Sequence, residues 1–103
     1  MDCELRLTRR YAAAPAEVWR ALTEPESIGR WLAPPPGVEV RTVEPEHVLE
    51  LDWSPPGEQP SVARVELSAD GDGTKLVLDH RRIQAELGMH YMRIWTQRLE
   101  RLG

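Results

Sequence analysis

Two prolines near the start of the chain constrain its fold more than any other feature. Pro15 and Pro25 each suit the first turn of a helix, where no backbone N–H is needed. Pro25 also disfavours helical geometry at the preceding residue, so a helix that opens at Pro15 must end there. Apolar residues follow each proline at helical spacing. The sequence therefore predicts two short helices in series, the second covering residues 25–32.

Strands are predicted before and after these helices from the alternation of apolar and polar residues. They cover residues 3–11, 38–43, 48–53, 63–69 and 75–82. Turn and hairpin signals separate the later strands, and a proline-rich connector at 33–37 precedes them. Three-and-four spacing then predicts a long helix over 84–102, although Gly88 weakens the first turn and favours a start near Met89.

Composition limits the class of protein. Of the 103 residues, 41% are apolar and 29% are charged, which is typical of one folded soluble domain spanning 1–103. The net charge of −4 argues against a nucleic-acid partner. Cys3 is the only cysteine, so an internal disulfide is excluded. Without an apolar leader or a membrane-length apolar run, the sequence predicts no membrane association and a cytoplasmic protein.

Two polar residues fall on an apolar strand face. His80 and Arg82 share strand parity with Leu76 and Leu78, which predicts that they face the long helix. A buried arginine must be paired or solvated, so a cavity with an anionic or oxygenated ligand would suit it. The favoured interpretation, however, is that the strand ends there and both side chains reach solvent, because strand ends vary by a few residues.

Aromatic residues allow a pocket or a filled core. Trp53 lies on the apolar face of its strand, and Tyr91 and Trp95 lie on the stripe of the long helix with Met92 beside them. Aromatic walls with a few polar groups are typical of small-molecule pockets, but the same residues at the same spacing also fill cores. Trp19 and Trp31 are predicted to lie in the core, because tryptophan is usually highly buried, and Trp31 could also close one end of a cavity.

No motif predicts a metal or a cofactor. His47 and His90 have no partner at metal-ligand spacing, and the 70–73 loop lacks the later ligands of a calcium site. Phosphate-binding loops and dinucleotide fingerprints are absent from the sequence. We therefore predict no metal, no cofactor and no assignable catalytic residue.

Several of these features together resemble a known superfamily. They are Ala14-Pro15, Val18-Trp19, Ala21-Leu22-Thr23, Pro25, Ile28, Trp31, the 44–51 turn and strand, the 70–76 hairpin, His80 and the helix through Trp95 and Leu99. On these residues the chain resembles the START-like, or SRPBCC, helix-grip proteins. Within them it is most similar to the family of homologues of the heat-shock protein 90 ATPase activator.

The resemblance implies an α+β helix-grip fold of order β-α-α-β-β-β-β-α, with an antiparallel sheet wrapped on a long C-terminal helix. Family members usually carry a β-hairpin between the second short helix and the strand at 38–43, where this chain has only the connector. We therefore expect five strands rather than about seven. The strand at 38–43 then becomes an exposed edge, and exposed edges invite pairing with another chain. The chain is expected to be a monomer or an edge-strand homodimer.

The resemblance also implies three functions. The first is binding of a hydrophobic or amphipathic small molecule between the sheet and the C-terminal helix. The second is a protein-interaction module with a chaperone as partner. The third is a polyketide cyclase-like or dehydratase-like enzyme, with His80 as acid or base and Arg82 or Tyr91 orienting an oxyanion. The third ranks last because no matched acid–base pair can be identified. The predicted ligand-binding residues are Tyr11, Trp31, Trp53, His80, Arg82, Tyr91, Met92 and Trp95.

Overall fold

A computed structural model describes residues 1–102 and shows a five-stranded antiparallel sheet with the helices on one face. The strands are β1 (Asp2–Tyr11), β2 (Val38–Glu44), β3 (Val48–Trp53), β4 (Ser61–Asp70) and β5 (Gly73–Gln84). The helices are α1 (Pro15–Thr23), α2 (Pro25–Trp31) and α3 (Gly88–Leu102), with a 3-10 turn at Ala85–Leu87 before α3. The strand order is β1-β5-β4-β3-β2. The predicted α+β helix grip is confirmed.

Helices α1 and α2 begin at the two prolines, as predicted. Glu24 is extended, with φ −67° and ψ 134°, and this single residue separates them. The indole Nε1 of Trp31 donates to the Leu22 carbonyl over 3.3 Å, which ties α2 to α1. Trp31 is buried, whereas Trp19 is only partly buried against the core.

Helix α3 covers the inner face of the sheet. Its buried residues Tyr91, Trp95 and Leu99 recur at four-residue spacing and so form one stripe. The Tyr11 hydroxyl donates to the Leu99 carbonyl over 2.7 Å, which fastens β1 to the last turns of α3. No described helix has the length and apolar character needed to cross a membrane. The opposing apolar sheet residues with no exposed surface are Leu49, Leu51, Ala63, Val65, Leu76 and Leu78.

A β-bulge interrupts the alternation of β5. Cys3 pairs with Ile83 and Leu5 pairs with His80, so two residues of β5 lie opposite the single residue between Cys3 and Leu5. Arg82, one of the two, has a left-handed φ of 62°. The extra residue moves Ile83 to the core and leaves Arg82 exposed. His80 therefore faces inward, as strand parity predicts, and the interpretation that it reaches solvent is wrong. Arg82 reaches solvent, so its predicted inward placement is wrong.

Strand β2 lies at the edge of the sheet and pairs only with β3 within residues 1–102. The connector from Leu32 to β2 contains no strand, as expected for a chain without the family's hairpin. Gly37 ends the connector with φ 88°, and an added Cβ there would lie 2.1 Å from the Ser54 carbonyl oxygen. Only glycine fits this close approach of two backbones.

Candidate functional site

Four rings pack together under α3 and form what we call the aromatic cluster: Trp53, His80, Tyr91 and Trp95. Their centroids lie 5.1 to 5.8 Å apart, mostly in edge-to-face arrangements. None is more than 4% exposed. These side chains thus occupy the space between sheet and helix in which the family resemblance predicted a ligand.

Hydrogen bonds determine which ring nitrogen of His80 carries the hydrogen when the ring is neutral. Its Nδ1 accepts a bond of 3.0 Å from the indole Nε1 of Trp95, so Nδ1 carries no hydrogen. The neutral ring then carries its hydrogen on Nε2, which lies 2.8 Å from the Ser61 hydroxyl oxygen. That hydroxyl donates in turn to the Trp53 carbonyl over 3.3 Å. Every polar atom in this series of hydrogen bonds, from Trp95 through His80 and Ser61 to the Trp53 carbonyl, therefore has a partner.

Burial lowers the pKa of His80 to about 4, because the charged imidazolium would lose its hydration. At neutral pH the ring is therefore uncharged. Both ring nitrogens are bonded to protein groups and the side chain has no exposed surface. This geometry suits a residue that fixes the core. It does not suit the acid–base role that the cyclase-like interpretation gave to His80, because neither nitrogen faces a substrate.

A second hydrogen-bonded chain runs from the aromatic cluster to the surface. The indole Nε1 of Trp53 donates to the Tyr91 hydroxyl over 2.9 Å, and that hydroxyl donates to the carboxylate of Glu58. Burial, and then the bond to Glu58, raise the pKa of Tyr91 to about 12. Tyr91 thus remains a neutral phenol that links the core to a half-buried carboxylate.

A groove of about 280 Å³ opens where this second chain reaches the surface. It lies between α3, the connector after α2 and the loop that joins β3 to β4. Apolar and aromatic groups form most of its lining, with charged groups at its rim. The lining residues are Leu32, Ala33, Pro35, Trp53, Pro55, Glu58, His90, Tyr91, Ile94 and Arg98.

Arg98 is the notable charge in the groove. Its Nε donates to the Leu32 carbonyl over 3.0 Å, which fixes the guanidinium beside the connector. Burial lowers the pKa of Arg98, and repulsion from Arg101 adds to this. No carboxylate among residues 1–102 lies within ion-pair distance of Arg98. The remaining N–H groups are thus available to an anion at this end of the groove.

The structure brings together half of the predicted ligand-binding residues. Trp53 and Tyr91 belong to both the aromatic cluster and the groove lining, while His80 and Trp95 lie behind them in the core. Binding by any of these four stays a prediction.

The other four predicted residues lie elsewhere. Tyr11 is partly buried, and its hydroxyl is bonded to the Leu99 carbonyl. Trp31 is packed in the core beside α1. Arg82 is exposed at the bulge, and Met92 is 40% exposed on the β1 side of α3.

Sequence reasoning missed the polar groups of the groove. Arg98 lies four residues after Ile94 and seven after Tyr91, so helical spacing already placed all three on one face of α3. Glu58 gave no such signal, because it sits in an irregular Pro/Gly loop whose position depends on tertiary contacts. Ser61 lies at the start of β4, where its role depends on the register with β5.

The model of one protein family matches residues 33–103, and its description is activator of Hsp90 ATPase homolog 1-like protein. Among curated protein sequences, none is significantly similar to this chain. The residues quoted above for helices α1 and α2 precede the matched segment, so the match rests on other parts of the chain.

Solved structures share the fold over nearly the whole chain. CalU16 from Micromonospora echinospora is 28% identical, with a TM-score of 0.83 over 97% of this chain and 71% of its own. The AHSA1-like protein RHE_CH02687 from Rhizobium etli is 28% identical, with a TM-score of 0.75 over 99% of this chain and 80% of its own. DynU16, a protein in the dynemicin biosynthetic locus, is 23% identical, with a TM-score of 0.80 over 96% of this chain and 45% of its own. On the family match and these folds, the chain belongs to the activator of Hsp90 ATPase homolog 1-like family, within the START-like helix-grip superfamily.

Proposed function

We propose that this protein binds an amphipathic small molecule in the groove beside α3, with its apolar part against the apolar lining of the groove and an anionic group at Arg98. The observation that carries the proposal is a partly buried guanidinium, without a carboxylate partner among residues 1–102, at one end of a mostly apolar groove. Concave, mostly apolar sites with a few convergent polar groups are typical of small-molecule binding.

The volume of the groove and its charged groups restrict the size and charge of a ligand that can bind there. A volume of about 280 Å³ lies near the lower limit of ordinary ligand sites, so the groove fits a small molecule or one end of a longer one. Glu58 accepts the hydrogen bond from Tyr91 at the border of the groove. Its carboxylate repels an anionic group of a ligand at that end. Arg98 follows Tyr91 by about two helical turns. We therefore expect the acidic group of the ligand to lie at the Arg98 end.

The site differs from the one implied by the family resemblance. The aromatic cluster fills the interior between sheet and helix, and the proposed ligand lies at its outer margin against Trp53 and Tyr91. A small-molecule role is consistent with DynU16, a protein of the same fold in a biosynthetic locus.

A matched pair of probes tests the proposal. Isothermal titration or amide chemical-shift mapping compares 2-naphthoate with 2-naphthalenemethanol, which share an apolar part and differ in charge. We expect the naphthoate to bind at least about tenfold more tightly, since one charge-assisted hydrogen bond is worth about 1.5–3 kcal/mol. Arg98→Gln should remove that preference, whereas Arg101→Gln, at an exposed arginine of the same helix, should retain it.

Three outcomes would count against the proposal. If neither probe binds at millimolar concentration, the groove is not a ligand site for this class. If both probes bind equally to wild type, the anionic preference is wrong. If Arg101→Gln weakens binding as much as Arg98→Gln does, the effect comes from net charge rather than from the groove.

The family description favours one second candidate, contact with an Hsp90-type chaperone. A pull-down with purified chaperone and an ATPase assay would test it. Stimulation of the ATPase by the wild-type chain would support this function, and no capture together with an unchanged rate would exclude it.

A further inference from the structure

The unpaired edge of β2 is formed by alternate residues of the strand. Ser54 N–H donates to the Gly37 carbonyl over 2.9 Å, so Gly37 belongs to a hydrogen-bonded pair with β3. Such pairs recur at every second residue of an antiparallel ladder. Glu39 and Arg41 therefore use their backbone groups on β3. The backbone groups of Val38, Val40 and Thr42 point toward the free edge.

The side chains of β2 suit pairing with an identical strand. Two antiparallel copies related by a two-fold axis at Val40 place Val40 opposite its own copy, with its free N–H and carbonyl matched. The same axis places Glu39 of each copy opposite Arg41 of the other copy. The result is two equivalent pairs of unlike charges on the outer face of the sheet. An axis at Glu39 or at Arg41 would place like charges directly opposite each other, which destabilises a strand pair. The charge pattern thus selects the register centred on Val40.

Other features of the strand agree with this register. Val38 and Val40 face the helices but are only partly buried, because in the described part of the chain, residues 1–102, no strand lies beyond β2 to complete their surroundings. The paired segment is limited at both ends. The prolines before Gly37 have no N–H to donate, and the register of β2 shifts after Thr42.

We infer that two copies of this chain associate through β2, antiparallel and centred on Val40, so that their five-stranded sheets join into one of ten strands. The inference does not depend on the groove or its ligand. It rests on the open edge, the outward backbone groups of alternate residues and the self-complementary Glu39 and Arg41. Within each copy Arg41 also lies 3.0 Å from Glu50 and 3.1 Å from Asp52. Its guanidinium has five N–H donors, so it can also contact the Glu39 of the second copy.

A charge exchange between copies tests both the interface and its register. Analytical ultracentrifugation follows wild type, Glu39→Arg, Arg41→Glu and an equimolar mixture of the two variants. Each variant alone opposes like charges at both positions, so its dimer should weaken at least about tenfold relative to wild type. In the mixture every position again opposes unlike charges, so a heterodimer should form with near wild-type affinity. Glu100→Arg, at an exposed position of α3, is the control for the change in net charge.

Four results would overturn the inference. They are a wild-type chain that stays monomeric up to millimolar concentration, dimerisation unaffected by Glu39→Arg, no recovery in the mixture, and equal weakening by Glu100→Arg. Circular dichroism of each variant identifies misfolding. If one charge variant misfolds, Val40→Pro replaces it, because this change removes an outward N–H and leaves the β3 ladder intact. Retained dimerisation by a folded Val40→Pro would equally overturn the inference.

Discussion

His80 makes the stability of this protein depend on pH in a defined window. Its pKa is about 4 in the fold and about 6.5 in the unfolded chain. Between these values the unfolded chain binds a proton that the folded chain excludes, so acid favours unfolding. The contribution is fully present above about pH 6.5 and is lost as the pH falls toward 4. The linkage relation gives a loss of about 2 kcal/mol at pH 5 and about 3 kcal/mol at pH 4.

Urea unfolding at pH 8, 7, 6 and 5, followed by far-ultraviolet circular dichroism, measures this loss. Carboxylates also titrate near the acid end, so the informative quantity is the difference between wild type and His80→Gln. Glutamine can accept from Trp95 and donate to Ser61, but it does not titrate. The variant should be less stable than wild type at pH 8, and this gap should narrow by about 2 kcal/mol on going to pH 5.

His90→Gln, at an exposed histidine on α3, is the matched control and should keep the wild-type pH dependence. If wild type and His80→Gln lose stability in parallel from pH 8 to 5, the buried neutral imidazole is not the source of the pH dependence. A pH dependence abolished instead by His90→Gln would locate the titrating group on the surface of α3.

Two further predictions concern stability and use denaturant unfolding as the measurement. Gly37→Ala should cost about 2 kcal/mol or more, because its Cβ would meet the Ser54 carbonyl oxygen. Gly57 also has a positive φ but open space around it, so Gly57→Ala should cost only about 1 kcal/mol. Equal losses in the two variants would show that backbone strain alone, and not the collision, causes the destabilisation. Tyr91→Phe should cost about 1–3 kcal/mol, because the buried Trp53 indole N–H loses its acceptor. A loss below about 0.5 kcal/mol would mean that this N–H finds another partner.

Local chemistry made the helices and strands predictable. Pro15 and Pro25 each determine where a helix begins, and the alternation in β3 and β4 reports a sheet with one buried face. These signals act over a few residues, so they can be read without knowing the tertiary structure. The missing hairpin, in contrast, was visible only through the family resemblance, because the sequence itself shows just a proline connector at that place.

Register and loop position were not predictable in this way. The bulge adds one residue to β5, and no residue type in the strand marks its position. Strand parity, which assumes strict alternation, therefore assigned Arg82 to the wrong face. The pocket prediction correctly identified aromatic residues that meet under α3, but their packing geometry decides whether they enclose a space or fill it. Glu58 reaches Tyr91 through the fold of an irregular loop, and no periodicity encodes that contact.

The bulge in β5 also acts on the groove. Gln59 donates through its side-chain amide to the Arg82 carbonyl over 2.6 Å and to the Asp2 carboxylate over 2.8 Å. Its backbone N–H donates to the Gln84 side chain over 3.2 Å. Glu58, the acidic wall of the groove, is the preceding residue. One extra residue in β5 therefore provides a backbone carbonyl that anchors the loop between β3 and β4, and a relative without that residue would hold its acidic wall in a different place.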